Sequence, residues 1–358
     1  MKKVAIVGTQ GVPARYGGFE TLVENLIGEN CSQEVQYTVF CSSKDLDKTK
    51  NPVSYKHALL RYVPLHANGI QSIPYDMWSL LKSMRKYDVI LVLGTSGCCL
   101  LPVWRLFCRK RLVVNIDGLE HRRAKWGKMA RRFLKMSESM AIRFADTIIV
   151  DNQGIQDYVS DNYHRKTELI AYGGDHVVRQ VSEQRSDEIL KKYGLQSGEY
   201  SIAICRIEPE NNCHVILLAF EYSDQKLVMI GNWQHSEYSC ALKKRYNKSR
   251  SNILLVDSLY DLEELSVLRT HAGHYIHGYS AGGTNPSLVE AMFFNCPILC
   301  FDVVYNRKTT FECAYYWKDA AELNQLLLRR DLTAEKTKAV AESNYLWRHI
   351  ARQYEALY

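Results

Sequence analysis

The chain lacks the signatures of several large classes of protein. It contains no run of about 18 apolar residues, which argues against a membrane-spanning helix. It contains no CxxC pair, no HExxH and no other clustered cysteine and histidine ligands, so no metal site is expected. Neither GxGxxG nor a Walker lysine is present, which excludes the common dinucleotide and NTPase patterns. These absences leave a large α/β chain without an obvious cofactor.

Cysteine usage and the first residues point to the cytoplasm. The chain has 11 cysteines, and the adjacent Cys98 and Cys99 suit neither a disulfide with each other nor a zinc knuckle. The start, MKKVAIVGTQG, resembles a signal peptide only briefly, because its apolar run breaks at Gly8 after five residues. We therefore expect a first buried strand, a reducing compartment and mostly buried thiols.

Positive charge is concentrated in one region. The formal net charge is +7, and residues 80–145 carry fifteen lysines and arginines against four acids. A basic region of this kind suits nucleic acid or an anionic membrane surface. Trp104, Phe107 and Trp126 lie among these charges and favour the membrane, although a plain solvated face is an equal alternative. Nucleic acid is disfavoured, because no recognition motif accompanies the charge.

The length and the hydrophobic pattern predict two α/β domains. At 358 residues the chain exceeds one ordinary domain. Strands are predicted to alternate with helices, which implies parallel sheets covered on both faces. Glycines and a polar stretch after residue 170 predict a boundary, which gives domains 1–175 and 176–335. A helical segment, 336–358, follows, and its apolar face is suited to docking. The predicted strands are Lys3–Val7, Tyr37–Cys41, Val89–Leu93, Leu112–Ile116, Thr147–Val150, Ser201–Cys205, Leu227–Ile230, Ile253–Val256, His274–His277 and Ile298–Phe301.

One stretch, residues 277–297, carries the strongest functional signal. It reads HGYSAGGTNPSLVEAMFFNCP, a strand end, a glycine loop and a helix with Pro286 in its first turn. A helix start with small residues suits an anion. The carboxylate of Glu290, one turn into the helix, suits the hydroxyl groups of a sugar. Together they suit a phosphate attached to a sugar, although an ordinary strand-loop-helix unit is an equal alternative.

Two segments of the first domain are further candidates. GTQGVPARYGGFE follows the first strand, and its glycines allow tight turns and close approach of a ligand. NIDGLEHRRAKW places Asp117 at a strand end, where open parallel sheets bind ligands. Asp117, Glu120 and His121 could supply a base or orient a hydroxyl, and Arg122, Arg123 and Lys125 could meet phosphate. A polar loop before a helix at Lys128 is the alternative.

The ordered set of these segments resembles a known family. The glycine pair after the first strand, CRIEPENN after residue 204 and GGTNPSLVEAM resemble the family 4 glycosyltransferases of GT-B fold. The first-domain segments resemble more narrowly the bacterial rhamnosyltransferases of capsule and exopolysaccharide assembly. The resemblance implies two Rossmann-like domains facing each other across a cleft, with an acceptor-side first domain and a nucleotide-sugar-binding second domain. It also implies that the terminal helix, 336–358, packs back toward the first domain.

The resemblance also implies roles for individual residues. Gly17 and Gly18 would lie near the donor phosphates and the acceptor. Arg206 would hold the nucleotide diphosphate and Glu290 the ribose. The donor-binding set is completed by Asn211, Gly282, Gly283, Thr284, Asn285, Ser287 and Leu288, with Asn285 to Leu288 presenting backbone N–H groups. Asp117, Arg206 and Glu290 form the implied catalytic set.

Three positions depart from the family pattern. The first acid of the paired-glutamate motif is replaced by Gly282, and the usual lysine five residues after Arg206 is Asn211. His121 stands where tryptophan is expected, so we do not assign it a catalytic role. The single DxD match, Asp45 to Asp47, lies in a lysine-flanked polar segment and is interpreted as surface.

The implied function is a retaining, metal-independent hexosyltransferase without a bound cofactor. Its donor would be a dTDP- or UDP-sugar, with dTDP-rhamnose first. Its acceptor would be an undecaprenyl-diphosphate-linked saccharide at the inner face of the cell membrane, with no nucleic acid partner. The alternatives are a nucleotide-sugar epimerase or phosphorylase of similar architecture, and an inactive sugar-nucleotide-binding protein, which Gly282 would favour.

Overall fold

The computed structural model describes residues 1–14, 17–32, 34–46, 52–123, 126–246 and 252–358. Asp47 and Lys125, which the sequence singles out, lie outside these ranges. The described chain divides into two compact units. Unit 1 comprises Met1–Tyr172 and Trp347–Tyr358, and unit 2 comprises Gly173–Leu346.

Unit 1 is built on a sheet of eight strands. Their order is β3-β4-β2-β1-β5-β6-β7-β8, and every pairing among the described residues is parallel except that of β3 with β4. The strands are β1 Lys2–Val7, β2 Val35–Ser42, β3 Ser54–Tyr55, β4 Ala58–Val63, β5 Val89–Leu93, β6 Arg111–Asn115, β7 Thr147–Val150 and β8 Glu168–Leu169. The helices are α1 Gly18–Glu29, α2 Ser72–Ser83, α3 Leu101–Phe107, α4 Lys128–Phe144 and α5 Gln153–Tyr163, together with α14 Trp347–Glu355.

Unit 2 repeats the pattern with six parallel strands. Their order is β11-β10-β9-β12-β13-β14. The strands are β9 Tyr200–Ile204, β10 Lys226–Ile230, β11 Ile253–Val256, β12 His274–His277, β13 Ile298–Phe301 and β14 Tyr315–Trp317. The helices are α6 Glu183–Lys192, α7 Cys213–Glu221, α8 Glu237–Tyr246, α9 Leu262–Thr270, α10 Pro286–Ala291, α11 Val304–Thr309, α12 Ala320–Leu327 and α13 Glu335–Asn344.

The predicted α/β class with two parallel sheets is confirmed. The central strands are nearly continuous runs of buried aliphatic side chains, as strands covered on both faces must be. The α10 helix begins at Pro286 with Asn285 as its N-cap, as the sequence predicts. Among the described residues, no helix has the length and apolar content needed to cross a bilayer.

The terminal segment differs from the single helical segment that the sequence predicts. It forms two helices, α13 in unit 2 and α14 in unit 1. No glycine or proline marks the break at Tyr345 in the sequence. In the structure, the N–H of Gly174 donates to the Tyr345 carbonyl at 2.9 Å. In unit 1, Trp347 and Tyr354 of α14 join the hydrophobic core, and the Tyr354 hydroxyl accepts from Asn115 Nδ2 at 2.8 Å.

Candidate functional site

The loops that the sequence singles out leave the strands where each sheet reverses its order. In unit 1, β1 lies between β2 and β5, and in unit 2, β9 lies between β10 and β12. Connections at such a reversal run to opposite faces of the sheet and leave a crevice at the carboxyl ends, where ligands of open α/β sheets bind. The glycine-bearing loop of unit 1 follows β1, and the Arg206 and Glu290 segments follow β9 and β12.

In unit 2 the two loops are bonded to each other. The Asn212 Nδ2 donates to the Gly278 carbonyl at 2.8 Å, and the N–H and the hydroxyl of Ser280 both donate to the Glu210 carbonyl at 2.9 Å. A Cβ on Gly278 would lie 2.1 Å from the Asn211 carbonyl oxygen, so only glycine permits this approach. The structure thus brings the CRIEPENN and GGTNPSLVEAM segments into one local wall.

Arg206 and Asn211, five residues apart on that wall, differ in exposure. The Arg206 side chain is 41% exposed, and its Nη1 lies 4.0 Å from Glu208 Oε2, a distance too long for a hydrogen bond. Asn211 is buried and its N–H donates to the Glu208 carbonyl at 3.0 Å. Arg206 therefore carries an accessible cation, while Asn211 shapes the loop.

Gly282 and Gly283 adopt backbone conformations that other residues rarely take. Their φ values are +115° and +87°. A Cβ on Gly282 would stand 3.2 Å from ring atoms of Tyr305. The position where the family pattern has its first acid is therefore shaped for glycine in this chain. The neighbouring Thr284 is buried, with its hydroxyl oxygen 3.3 Å from that of Thr309.

At the start of α10, two of the N–H groups that the sequence assigns to the donor bond to Asn285. Asn285 Oδ1 accepts from the Ser287 N–H at 3.0 Å and from the Ser287 hydroxyl at 2.8 Å, and the Leu288 N–H donates to the Asn285 carbonyl at 3.0 Å. The N–H groups of Ser287 and Leu288 are thus engaged in the cap, and the Leu288 side chain is buried in the core. Within the described residues, the N–H groups of Gly283 and Asn285 make no such bond.

Glu290 has a buried cationic partner that the sequence did not indicate. Its Oε2 accepts from Arg269 Nη2 at 2.6 Å, and its Oε1 lies 3.8 Å from His176 Nε2. Burial lowers the pKa of His176, against the raising effect of Glu290. Arg269 stands in the last turn of α9, where a basic residue ordinarily only complements the helix dipole, so no sequence signal reveals this pairing.

In unit 1 a glutamate fixes the glycine-bearing loop. Glu20 is buried, and its Oε1 accepts from the Thr9 hydroxyl at 2.9 Å and the Gln10 N–H at 2.8 Å. Gly17 has φ +122°, and a Cβ there would lie 2.0 Å from Glu20 Oε2, while Gly18 begins α1. The sequence analysis missed Glu20, although an acid in the third helical position is a known sign of backward contact to preceding N–H groups.

Asp117 lies just beyond β6 in the left-handed region, with φ +60°. Its N–H donates to Asn115 Oδ1 at 2.9 Å. Burial, together with the nearby carboxylates of Asp117 and Asp151, raises the pKa of Tyr172 and Tyr354. A non-glycine residue in this conformation is uncommon, which makes the position a candidate for function.

The residues after Asp117 are held by structural contacts. Glu120 accepts from Trp126 Nε1 at 2.9 Å and Arg123 Nη1 at 3.1 Å, and the Arg122 guanidinium lies 4.9 Å from the centre of the Tyr158 ring. His121 Nδ1 lies 2.8 Å from Oε2 of the buried Glu138.

The pKa of Glu138 reflects these neighbours. Burial acts to raise it, but His121 and Lys135 bring it below its ordinary value. These contacts favour the alternative of a polar loop before α4 for all of the candidates after Asp117 except Lys125, which lies outside the described residues. The Asp45 carboxylate of the DxD match is likewise occupied, by His66 Nδ1 at 2.6 Å and the Ala67 N–H at 2.7 Å.

Comparison with known proteins assigns the fold. A family model described as a domain of unknown function (DUF1972) matches residues 1–175. No curated protein matches the chain in sequence.

Solved structures do match over the whole length. Sucrose-phosphate synthase from Thermosynechococcus elongatus aligns with a TM-score of 0.82 at 17% identity, over 100% of this chain and 98% of that one. HepE from Anabaena, solved in complex with UDP, aligns with a TM-score of 0.76 at 13% identity, over 99% of each chain. The catalytic domain of starch synthase IV from Arabidopsis thaliana, bound to ADP and acarbose, gives 0.70 at 12% identity, over 99% of this chain and 98% of that one. The chain has the GT-B fold of these glycosyltransferases.

Proposed function

We propose that the protein is a glycosyltransferase that uses a nucleotide-sugar donor. The observation that carries the proposal is the wall in unit 2, where two bonded loops at the reversal of the sheet bear the exposed guanidinium of Arg206 and the carboxylate of Glu290. A diphosphate and a ribose hydroxyl are the groups that this pair would bind. Support comes from the shared fold with HepE, whose structures hold UDP and UDP-glucose.

The chemistry would be electrostatic. As the glycosidic bond breaks, negative charge grows on the leaving diphosphate, and Arg206 would stabilise it together with the N–H groups that precede α10. We propose transfer with retention at the anomeric carbon, assisted by the leaving phosphate as base and without a metal or another cofactor. Asp117 would orient a sugar hydroxyl, and D117N should then reduce turnover while leaving the donor affinity nearly unchanged.

The acceptor proposal rests on a surface of unit 1 made by α2, α3 and α4. At the end of α3, the large apolar side chains of Leu106 and Phe107 are 78% and 77% exposed. Trp78 of α2 and Met129 of α4 are exposed as well. Exposed basic side chains lie on or next to the same helices: Lys82, Arg85, Lys86, Arg109, Lys128, Arg131 and Arg132.

Exposed apolar and basic side chains on and next to the same helices suit the face of an anionic bilayer. We therefore propose that the enzyme acts at the inner face of the cell membrane, on a saccharide linked to undecaprenyl diphosphate. Sedimentation with vesicles should increase with their anionic lipid content and fall with added salt. Binding that responds to neither would contradict the membrane proposal.

The donor is tested first by binding and then by turnover. A thermal-shift screen across nucleotides and nucleotide sugars should show a rise in melting temperature by mass action for the true donor. We propose dTDP-rhamnose first and UDP-sugars second. Transfer of the labelled sugar to a lipid-linked acceptor would establish the activity, and absence of any nucleotide-dependent shift across the screen would contradict it.

An inactive sugar-nucleotide-binding protein is the second candidate, and the observation that favours it is the glycine geometry at Gly282. Because a side chain there would meet Tyr305, the contact that the family makes with its first acid has no equivalent at this position. Donor binding without hydrolysis or transfer would support this candidate. Conversion of the sugar without an acceptor would instead support an epimerase.

A further inference from the structure

Two thiols of unit 2 lie side by side next to Arg206. Cys205 directly follows β9, Cys213 begins α7, and their sulfur atoms are 3.8 Å apart. Both cysteines are free thiols. An approach of about 1.8 Å would bring the two sulfur atoms to the length of an S–S bond. The pair is therefore placed for oxidation to a disulfide.

The two thiols differ in their access to solvent. Cys205 is partly exposed, whereas Cys213 is fully buried in the hydrophobic core of unit 2. The neighbouring Cys205 thiol and burial raise the pKa of the Cys213 thiol, so Cys213 is protonated at neutral pH. A dissolved oxidant therefore reaches Cys205 first, and Cys213 is placed to react with the oxidised sulfur that results.

The chain between the two thiols forms one side of the wall in unit 2. It carries the Arg206 guanidinium and the Glu210 carbonyl that accepts from Ser280. The Cys213 sulfur lies 3.9 Å from the Arg206 carbonyl oxygen and 3.8 Å from that of Glu208, within reach of a weak S–H donor. Oxidation removes the thiol proton and leaves sulfur lone pairs facing both oxygens, so the main chain at Arg206 turns away from the sulfur.

We propose that Cys205 and Cys213 form a site of oxidative modification, which hydrogen peroxide converts to a disulfide that weakens nucleotide binding at Arg206. The Cys205 sulfur attacks one peroxide oxygen, the O–O bond breaks, and a sulfenic acid and one water form. The Cys213 sulfur then attacks the sulfenic sulfur, the S–O bond breaks, and the hydroxyl leaves with the Cys213 proton as a second water. The effect on binding rests on the proposed function, whereas formation of the disulfide does not.

The sequence allows the disulfide to be mapped directly. Trypsin places Cys205 and Cys213 on separate peptides, 193–206 and 207–226, each with a single cysteine. After the whole chain is treated with peroxide and its free thiols are blocked, mass spectrometry should find these two peptides joined, and dithiothreitol should release them. C205S should give no joined peptides. C240S removes an exposed cysteine of the same unit and should still give them.

Nucleotide binding measures the consequence for the wall. Calorimetric titration with UDP and dTDP should give an affinity about tenfold lower for oxidised than for reduced wild type, the scale of one charge-assisted hydrogen bond. C205S should bind alike before and after peroxide, whereas C240S should show the wild-type loss. Should C205S fail to fold, recovery of the wild-type affinity with dithiothreitol replaces it, because dithiothreitol reverses a disulfide and not the sulfinic or sulfonic forms of cysteine.

The two measurements separate the inference from the proposed function. Absence of the joined peptides in peroxide-treated wild type would overturn the inference and leave the proposed function standing. Joined peptides with an unchanged affinity would overturn the effect of the disulfide on binding. Reduced wild type that binds no nucleotide would overturn the proposed function and the effect on binding, while the joined peptides would still decide whether the thiol pair is oxidised.

Discussion

The glycine-bearing loop after β1 in unit 1 and the one after β12 in unit 2 are held in place by different contacts. Each follows a largely buried strand, contains a glycine of positive φ, and precedes a helix that carries a glutamate. In unit 1 that acid, Glu20, accepts from two donors of its own loop. In unit 2 the loop is held instead by its neighbouring loop, through Asn212 Nδ2 and the Glu210 carbonyl, and Glu290 pairs with Arg269 of α9. The comparison teaches that the first acid holds its own loop, whereas the second is held by a cation from another helix.

The largest effect should come from removing the carboxylate of Glu290. E290A leaves the guanidinium of Arg269 buried without its partner, and loss of one member of a buried ion pair costs about 3–5 kcal/mol. Urea unfolding should therefore show a strongly reduced free energy of unfolding. The exposed Glu342 of α13 offers a control, and E342A should change it by less than about 0.5 kcal/mol. Equal stability of the two variants would contradict the pairing.

The next effect separates binding from stability in unit 2. R206A should weaken nucleotide diphosphate binding by about 2–5 kcal/mol, because a desolvated charge pair with the diphosphate is lost. The free energy of unfolding should change little, since Arg206 is 41% exposed and has no close ion-pair partner within the described residues. R330A removes an exposed arginine of the same unit and should leave the affinity unchanged. Titration with UDP and dTDP measures the affinities of R206A and R330A, and urea unfolding measures their stabilities. An unaltered affinity in R206A would contradict the assignment of Arg206 to the diphosphate.

A smaller effect is expected for the acid of unit 1. E20A leaves the Thr9 hydroxyl and the Gln10 N–H without their acceptor in a buried loop, which costs about 1–3 kcal/mol. The matched variant is E29A in the same helix, where the glutamate is exposed and its loss should be nearly silent. A denaturation midpoint for E20A that equals that of E29A would remove the distinction between the two acids.

Much of the fold follows from local patterns, and the reason is physical. Buried parallel strands are rich in apolar side chains, so β5, β7 and β13 lie where their sequences place them. Short edge strands such as β3 and β8 lack that requirement and were not predicted. The break at Tyr345 was missed because a distant N–H, that of Gly174, takes the carbonyl.

The candidate site was predictable in its segments and not in its pairings. Glycines, Pro286 and Glu290 mark the loop and helix in sequence. The partners of those residues come from elements far along the chain, as Arg269 does for Glu290 and Tyr305 for Gly282. The capping contact of Asn285 with Ser287 is local, but only the geometry shows that it engages the Ser287 N–H.

The smallest effect at neutral pH concerns the strand end that precedes the unit 2 loop. The corresponding end of β1 is apolar, whereas β12 ends in His277, which is buried, lies 6.4 Å from the Tyr275 ring, and has no partner for Nε2 among the described residues. Burial lowers the pKa of His277 to about 3. H277F removes the unpartnered polar atom, so its free energy of unfolding should be close to that of the wild type at pH 7.

At acid pH the free energies of unfolding of the wild type and H277F should differ. Between the ordinary histidine pKa of about 6.5 and the folded value, the unfolded chain binds a proton that the folded chain does not, so the stability supplied by neutral His277 is lost as the pH falls. By pH 5 the wild type should lose about 2 kcal/mol that H277F retains. His176 and His274, whose pKa values burial also lowers, add the same slope to both proteins and cancel in the difference. The exposed His235 provides the control variant, H235F, whose pH profile should follow that of the wild type. Parallel pH profiles of stability for H277F and wild type would contradict the prediction, because they would show that the end of β12 is as hydrated as an ordinary surface position.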